Sequence, residues 1–279
     1  MNFLKEGGGL VASELYKRIW VSIAWFFIIA LFIWIKQVFL IVITALSVLG
    51  VYEFYRMTEN KGVYPFYYMG LSVATFIPMS LYFGLELNRD WQLFLVIAGL
   101  IILFLLQIRR EENDGATAGI AISIFGIFYI SWTLSFLLRL RLLPEGVGLS
   151  AMTIGATKMC DILAYLVGSR LGRHPFMPKV SPKKTWEGFW AGLLGAVVFS
   201  VIFSLFITSI GIKDALILGV LIGVFGQLGD ISESLIKRDC QVKDSGKVFP
   251  GMGGILDVVD SLLFTSPIAY FYITRMIGL

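Results

Sequence analysis

The sequence predicts an all-α, polytopic integral membrane protein, and three observations predict it. Hydrophobic residues make up 57% of the 279 residues and charged residues only 15%, against roughly 45–50% and 25% in a soluble domain. The apolar residues fall in unbroken blocks rather than at amphipathic spacing. Segments 19–35, 65–85, 91–108, 115–138 and 188–212 carry no Asp, Glu, Lys or Arg over 17, 21, 18, 24 and 25 residues. A bilayer core of about 30 Å needs roughly 20 such residues per helix. Lysine and arginine, finally, concentrate in alternate loops. This composition excludes a soluble enzyme, a disordered regulator and a disulfide-stapled secreted domain. Cys160 and Cys240 sit in unlike settings and no CxxC spacing occurs, which speaks against a structural zinc site.

Taken in order, about nine transmembrane helices are expected, at 19–35, 38–55, 65–85, 91–108, 115–138, 147–168, 186–208, 214–232 and 255–275. Lys5, Lys17 and Arg18 precede the first run and no small-residue cleavage site follows, so it reads as a retained span. The second and eighth are short and read as tilted, interfacial or hairpin-joined. With the N-terminus inside, the inner segments carry 16 basic residues and the outer ones 6. The positive-inside rule selects that orientation. The expected location is therefore the inner (plasma) membrane, multi-pass, with the active site facing the cytoplasm. Residues 1–140 read as N-terminal transmembrane helices. Residues 141–279 read as a catalytic transmembrane region with cytoplasmic loops 169–185 and 233–254.

Three constellations carry the chemistry. In the sixth span, Lys158 and Asp161 stand three apart, share a helix face and can pair. Charges at membrane depth are expensive and face a polar cavity. The loop that follows holds Arg170, Arg173, Lys179, Lys183 and Lys184, with His174 incidental. Its segment Ser181-Pro-Lys183-Lys184-Thr185-Trp-Glu187-Gly188 opens the next helix. Ser181 or Thr185 suits the N-cap and Glu187 the first turn, and donors converging there suit a phosphate.

In the third constellation, Asp230, Glu233, Ser234 and Lys237 line one helical stripe. Arg238, Lys243, Asp244 and Lys247 follow, and Asp257 and Asp260 repeat the i, i+3 spacing after a turn rich in Pro and Gly. Hard divalent cations take one or two carboxylates plus substrate phosphates, so these groups suit a metal–phosphate site. An ion transporter using Lys158, Asp161 and Asp230 as pathway charges is the reading from another class. One-sided clustering and the lack of an inverted repeat weigh against it.

The run Ser234, Lys237, Arg238, Lys243, Asp244, Gly246, Pro250, Gly253, Gly254, Asp257 and Asp260 resembles, in register, the signature of the CDP-diglyceride synthetases, the phosphatidate cytidylyltransferases. Segments 181–188 and Asp161-x-x-Ala-Tyr165-x-x-Gly168 look like that family too. Met252 and Val258 stand where its pattern has histidine and arginine. The resemblance implies that CTP and phosphatidic acid give CDP-diacylglycerol and pyrophosphate, in phospholipid biosynthesis. A CTP-dependent polyprenol or phytol kinase is the related alternative.

On this reading Asp230, Asp257, Lys237 and Arg238 are catalytic, and Asp230, Asp257 and Asp260 hold Mg²⁺, with room for a second cation. Lys158, Asp161, Arg173, Ser181, Lys183, Lys184, Thr185, Glu187, Ser234, Lys243, Asp244 and Lys247 bind substrate. The expected partners are CTP, phosphatidic acid and the lipid bilayer, with no nucleic acid and room for a homodimer.

Overall fold

The computed structural model describes residues 33–85, 89–110, 114–248 and 253–279. Eight helices occur among them: α1 (Lys36–Glu59), α2 (Tyr67–Tyr82), α3 (Arg89–Ile108), α4 (Ala116–Leu142), α5 (Gly146–Leu171), α6 (Trp186–Ser204), α7 (Ile212–Asp239) and α8 (Ile255–Ile277). Between α5 and α6 lies an antiparallel hairpin, β1 (Pro175–Met177) with β2 (Ser181–Thr185). Six helices, α1 and α4 to α8, are long and apolar enough to cross a membrane. The expected count of about nine is not confirmed among the described residues. Span 19–35 lies outside the described residues except at its end, and α2, at 16 residues, is shorter than a full span.

The two helices expected to be short are long: α1 has 24 residues and α7 has 28. The reason in α7 is electrostatic. Glu233 and Lys237 face each other one turn apart as an ion pair on the helical stripe read from the spacing, and the helix continues to Asp239. The loop expected at 233–254 therefore begins only at Cys240. The hairpin is likewise an addition to an otherwise all-α fold.

Two sets of contacts pin the ends of the bundle. Lys61, after α1, pairs with Asp239 at the end of α7 (2.7 Å). At the opposite end Glu145 accepts hydrogen bonds from Thr208 Oγ1 (2.6 Å) and the Ser209 amide (2.9 Å). The core between them joins Ile43, Phe54 and Tyr55 of α1 to Ile130 and Leu134 of α4, Met152 of α5 and Leu263 of α8. Arg141, at the end of α4 and 5% exposed, donates to the carbonyls of Ile33 (2.6 Å) and Trp34 (2.7 Å), which fixes where the chain enters α1. By contrast, α3 leaves Phe94, Val96, Ile97, Ile101 and Leu105 exposed, as a lipid-facing helix does.

Where α5, α6, α7 and α8 converge, small residues replace large ones. Ala156, Cys160, Ala196 and Ile222 form a separate buried cluster. A side chain at Gly229 would meet the Asp260 carbonyl at 2.6 Å, so glycine there lets α7 and α8 cross in backbone contact. That crossing sets Asp230 beside Asp260.

Candidate active site

The site is assembled at the end of the bundle that carries the hairpin and the turn after α7. Thr185 is the N-cap of α6, accepting a hydrogen bond from the Gly188 amide (3.2 Å), and Glu187 occupies the first turn. Ser181 instead opens β2 and pairs with Met177. Glu187 closes the hairpin: its carboxylate meets His174 Nδ1 (2.6 Å) and accepts from the His174 amide (3.3 Å). His174 therefore has a structural partner. The hairpin carries Lys184 inward to Asp230 of α7, Nζ to Oδ2 2.8 Å. The ammonium is buried and the contact is an ion pair without hydrogen-bond alignment. Arg173, Lys179 and Lys183 stay exposed on the hairpin.

Asp230 meets a second acidic group across the α7–α8 crossing. Asp260 is 6% exposed and, among the described residues, accepts one hydrogen bond, from the Ser261 amide (2.6 Å). The charges of Asp230 and Asp161 act on it, opposed by that of Lys158. Lys158 donates to Asp161 (3.0 Å) and to the Val258 carbonyl (2.9 Å), and Ser261 Oγ donates to Asp161 (3.0 Å). The i, i+3 pair of α5 is thus tied to the first turns of α8, where Val258 presents its backbone. Thr157 and Thr265 extend this polar seam with a 2.9 Å hydrogen bond.

Asp257 is engaged differently. Its Oδ2 accepts from the Gly254 amide (2.7 Å), the Ser245 amide (2.8 Å) and Ser245 Oγ (2.9 Å), and its Oδ1 accepts from Lys237 (2.5 Å). Lys237 also contacts Glu233, whose side chain is fully buried. This lysine therefore bridges α7 to α8. Ser234 is half-buried one turn below, while Arg238, Lys243, Asp244 and Lys247 are exposed around the rim. Met252, Pro250 and Gly251 lie outside the described residues.

Three residues of the site carry no signal in the motifs. Glu53 of α1, 5% exposed, accepts from the amides of Ile255 (3.0 Å) and Leu256 (2.9 Å) and from Ser245 Oγ (3.0 Å). An acid within an apolar helix is its one signature. Ser245 bridges Glu53 and Asp257. Tyr129 lies in the π-helical turn of α4 (Ile127–Trp132), a local distortion found often at functional sites. Its buried hydroxyl finds no hydrogen-bond partner among the described residues, and the charges of Glu233, Asp260 and Asp230 act on it.

Among the described residues, no group of three or more His, Cys, Asp or Glu is arranged to hold a metal ion. The donors nonetheless suit a hard cation whose shell is completed by substrate phosphates. Asp230 and Asp260 are oxygen donors from two helices, and Asp260 has lone pairs that no described hydrogen bond uses. Asp257 is filled at Oδ2, so it joins such a shell through Oδ1, where Lys237 is the one donor.

Comparison with known proteins bears on the same residues. The chain matches the model of the cytidylyltransferase family over residues 16–276. It is 30% identical over 261 residues to a phosphatidate cytidylyltransferase of Synechocystis sp., covering 82% of this chain and 86% of that one. It is 32% identical over 241 residues to a phosphatidate cytidylyltransferase of Bacillus subtilis, covering 85% and 88%. A relative in Escherichia coli, the uncharacterized protein YnbB, is 35% identical over 215 residues, 72% of each chain.

Proposed function

The chain belongs to the cytidylyltransferase family, and from that premise we propose that it is a phosphatidate cytidylyltransferase, a membrane enzyme of phospholipid biosynthesis. It converts CTP and phosphatidic acid to CDP-diacylglycerol and pyrophosphate. The observation that carries this reading is the contact of Lys184 with Asp230, which joins a basic hairpin to the carboxylates of α7 and α8. Neither the polyprenol kinase nor the ion transporter is favoured by the relatives, whose names specify cytidylyl transfer to phosphatidate.

The chemistry follows from the groups present. A phosphate oxygen of phosphatidic acid attacks the α-phosphorus of CTP, a new P–O bond forms, and the bond to the β-phosphate breaks to release pyrophosphate. A phosphomonoester has a second pKa near 6, so the nucleophile is ionised near neutral pH and needs no strong base. The protein's task is positioning and charge neutralisation. Lys184, Lys183, Arg238, Lys243 and Lys247 cradle the triphosphate, and Lys237 braces Asp257. Lys158 and Arg173 meet the lipid phosphate, with the acyl chains between helices. Asp230, Asp260 and Asp257 would hold Mg²⁺, alone or with a second cation, which supplies charge neutralisation at the phosphates.

The experiment is direct. Purified protein is incubated with labelled CTP, phosphatidic acid and Mg²⁺, and both products are identified. CDP-diacylglycerol with pyrophosphate is expected. CDP with a phosphorylated lipid would make the enzyme a kinase, and unchanged CTP would end the reading.

A further inference from the structure

The catalytic turn between α7 and α8 is held by a carboxylate from the other half of the chain. Glu53 is buried in α1, yet it accepts three hydrogen bonds from the segment that presents Asp257. Two of the donors are amides of the first turn of α8, so Glu53 acts as an external cap at the positive end of that helix. The fit is close enough to dictate glycine on both sides. A Cβ at Gly246 would stand 2.3 Å from Glu53 Oε1, and one at Gly254 would stand 2.4 Å from Glu53 Oε2.

The third donor, Ser245 Oγ, lies 3.0 Å from Glu53 Oε2 and 2.9 Å from Asp257 Oδ2. A hydroxyl has one proton, so it serves one of these carboxylates at a time. Whichever carboxylate it serves, the Gly254 and Ser245 amides fill Asp257 Oδ2, while Oδ1, with Lys237 as its one donor, keeps a lone pair.

We propose that Glu53, acting through Ser245 and the first amides of α8, is a positioning residue that holds the α8 N-terminus and so sets the carboxylate of Asp257, whose Oδ1 would take a divalent cation. The cation's catalytic role rests on the functional reading above; the coupling of Glu53 to cation binding is separable from it. An amide at position 53 has one acceptor oxygen, and its NH₂ group would face an N–H donor. An alanine at 245 removes the hydroxyl link between Glu53 and Asp257, letting the turn shift.

The test uses full-length protein in detergent and two variants, Glu53→Gln and Ser245→Ala. The first readout is the rise in melting temperature produced by Mg²⁺ alone, without nucleotide. The second is kcat and KM for CTP. Both variants should require more Mg²⁺ for the same thermal shift, and kcat should fall about 10–100-fold, the range typical when a partner of a metal ligand is removed. KM for CTP should change far less. A wild-type Mg²⁺ midpoint in either folded variant overturns the proposal. If Glu53→Gln does not fold, Ser245→Ala decides alone. A wild-type protein that responds to Mg²⁺ but makes no CDP-diacylglycerol would sink the functional reading and leave this one standing.

Discussion

Lys184 on β2 and Asp230 on α7 meet at 2.8 Å, although 46 positions and a whole membrane-length helix separate them in sequence. The contact places the basic hairpin over the α7–α8 crossing, where Asp260 lies. A buried ammonium held by one carboxylate is also well placed to turn to an incoming phosphate. Lys184→Ala should therefore raise KM for CTP. Loss of a charged hydrogen bond is worth about 1.5–3 kcal/mol, or roughly 10- to 150-fold. A steady-state titration of CTP at saturating phosphatidic acid checks this; an unchanged KM removes Lys184 from the nucleotide site.

Asp230 and Asp257 should fail in different ways when made neutral. Asp257 accepts four hydrogen bonds that tie the turn after α7 to α8. Asp257→Asn should lose activity and also stability, by about 1–3 kcal/mol for unsatisfied partners. Asp230 is half-buried and meets one lysine. Asp230→Asn should lose activity with little change in melting temperature. Parallel melting curves and product assays separate the two, and equal destabilisation would contradict the distinction.

Removing divalent cations should abolish turnover, and restoring Mg²⁺ should recover it. Asp260 supplies the reason, a buried carboxylate with lone pairs that no described hydrogen bond uses. Asp260→Asn should raise the Mg²⁺ concentration needed for half-maximal rate. Full activity in a chelator would show that the lysines alone neutralise the phosphates.

Much of this site is written locally and was legible. The Lys158–Asp161 pair follows from helical spacing, and Thr185 as N-cap follows from the chemistry of a helix start. What was not legible depends on partners far away. Glu53 is one acid in an apolar helix, and its donors lie 192 to 203 positions on. The hairpin has too few residues and too many prolines and lysines for strand alternation to show. In α7, charges that resemble a solvated loop pair along the helix and prolong it.

A pH dependence is expected at the opposite end of the bundle. Hydrogen bonds from Ser209 and Thr208 hold the Glu145 carboxyl down to about 2, below its ordinary 4.5. A depressed folded value means the stabilisation is present above about 4.5 and is lost as pH falls toward 2. Glu145→Gln should lower the melting temperature at pH 7, with the difference from wild type shrinking as the pH is lowered through that window. A constant difference would show that the carboxylate charge is not what the loop uses.

The sidedness of the reaction is the most discriminating prediction. The hairpin and the turn after α7 are separated by two spans, α6 and α7, and so share one face. The Lys61–Asp239 contact brings the turn after α1 to the same end. Whether α2 and α3 both cross or both stay shallow, the parity is unchanged. That end carries Arg56, Lys61, Arg109, Arg110 and the basic residues of the hairpin and the turn after α7, whereas the other carries Lys36, Arg139, Arg141, Lys213 and Arg275. The excess of basic residues argues for a cytoplasmic site. CTP does not cross a bilayer unaided, so sealed right-side-out vesicles should make no CDP-diacylglycerol from added CTP until they are opened. Inverted vesicles should react at once. Lys183→Ala with Lys184→Ala in inverted vesicles should need more CTP for the same rate, because the defect lies in phosphate contacts on the accessible face. Sealed right-side-out vesicles that react freely would turn the enzyme over in the membrane.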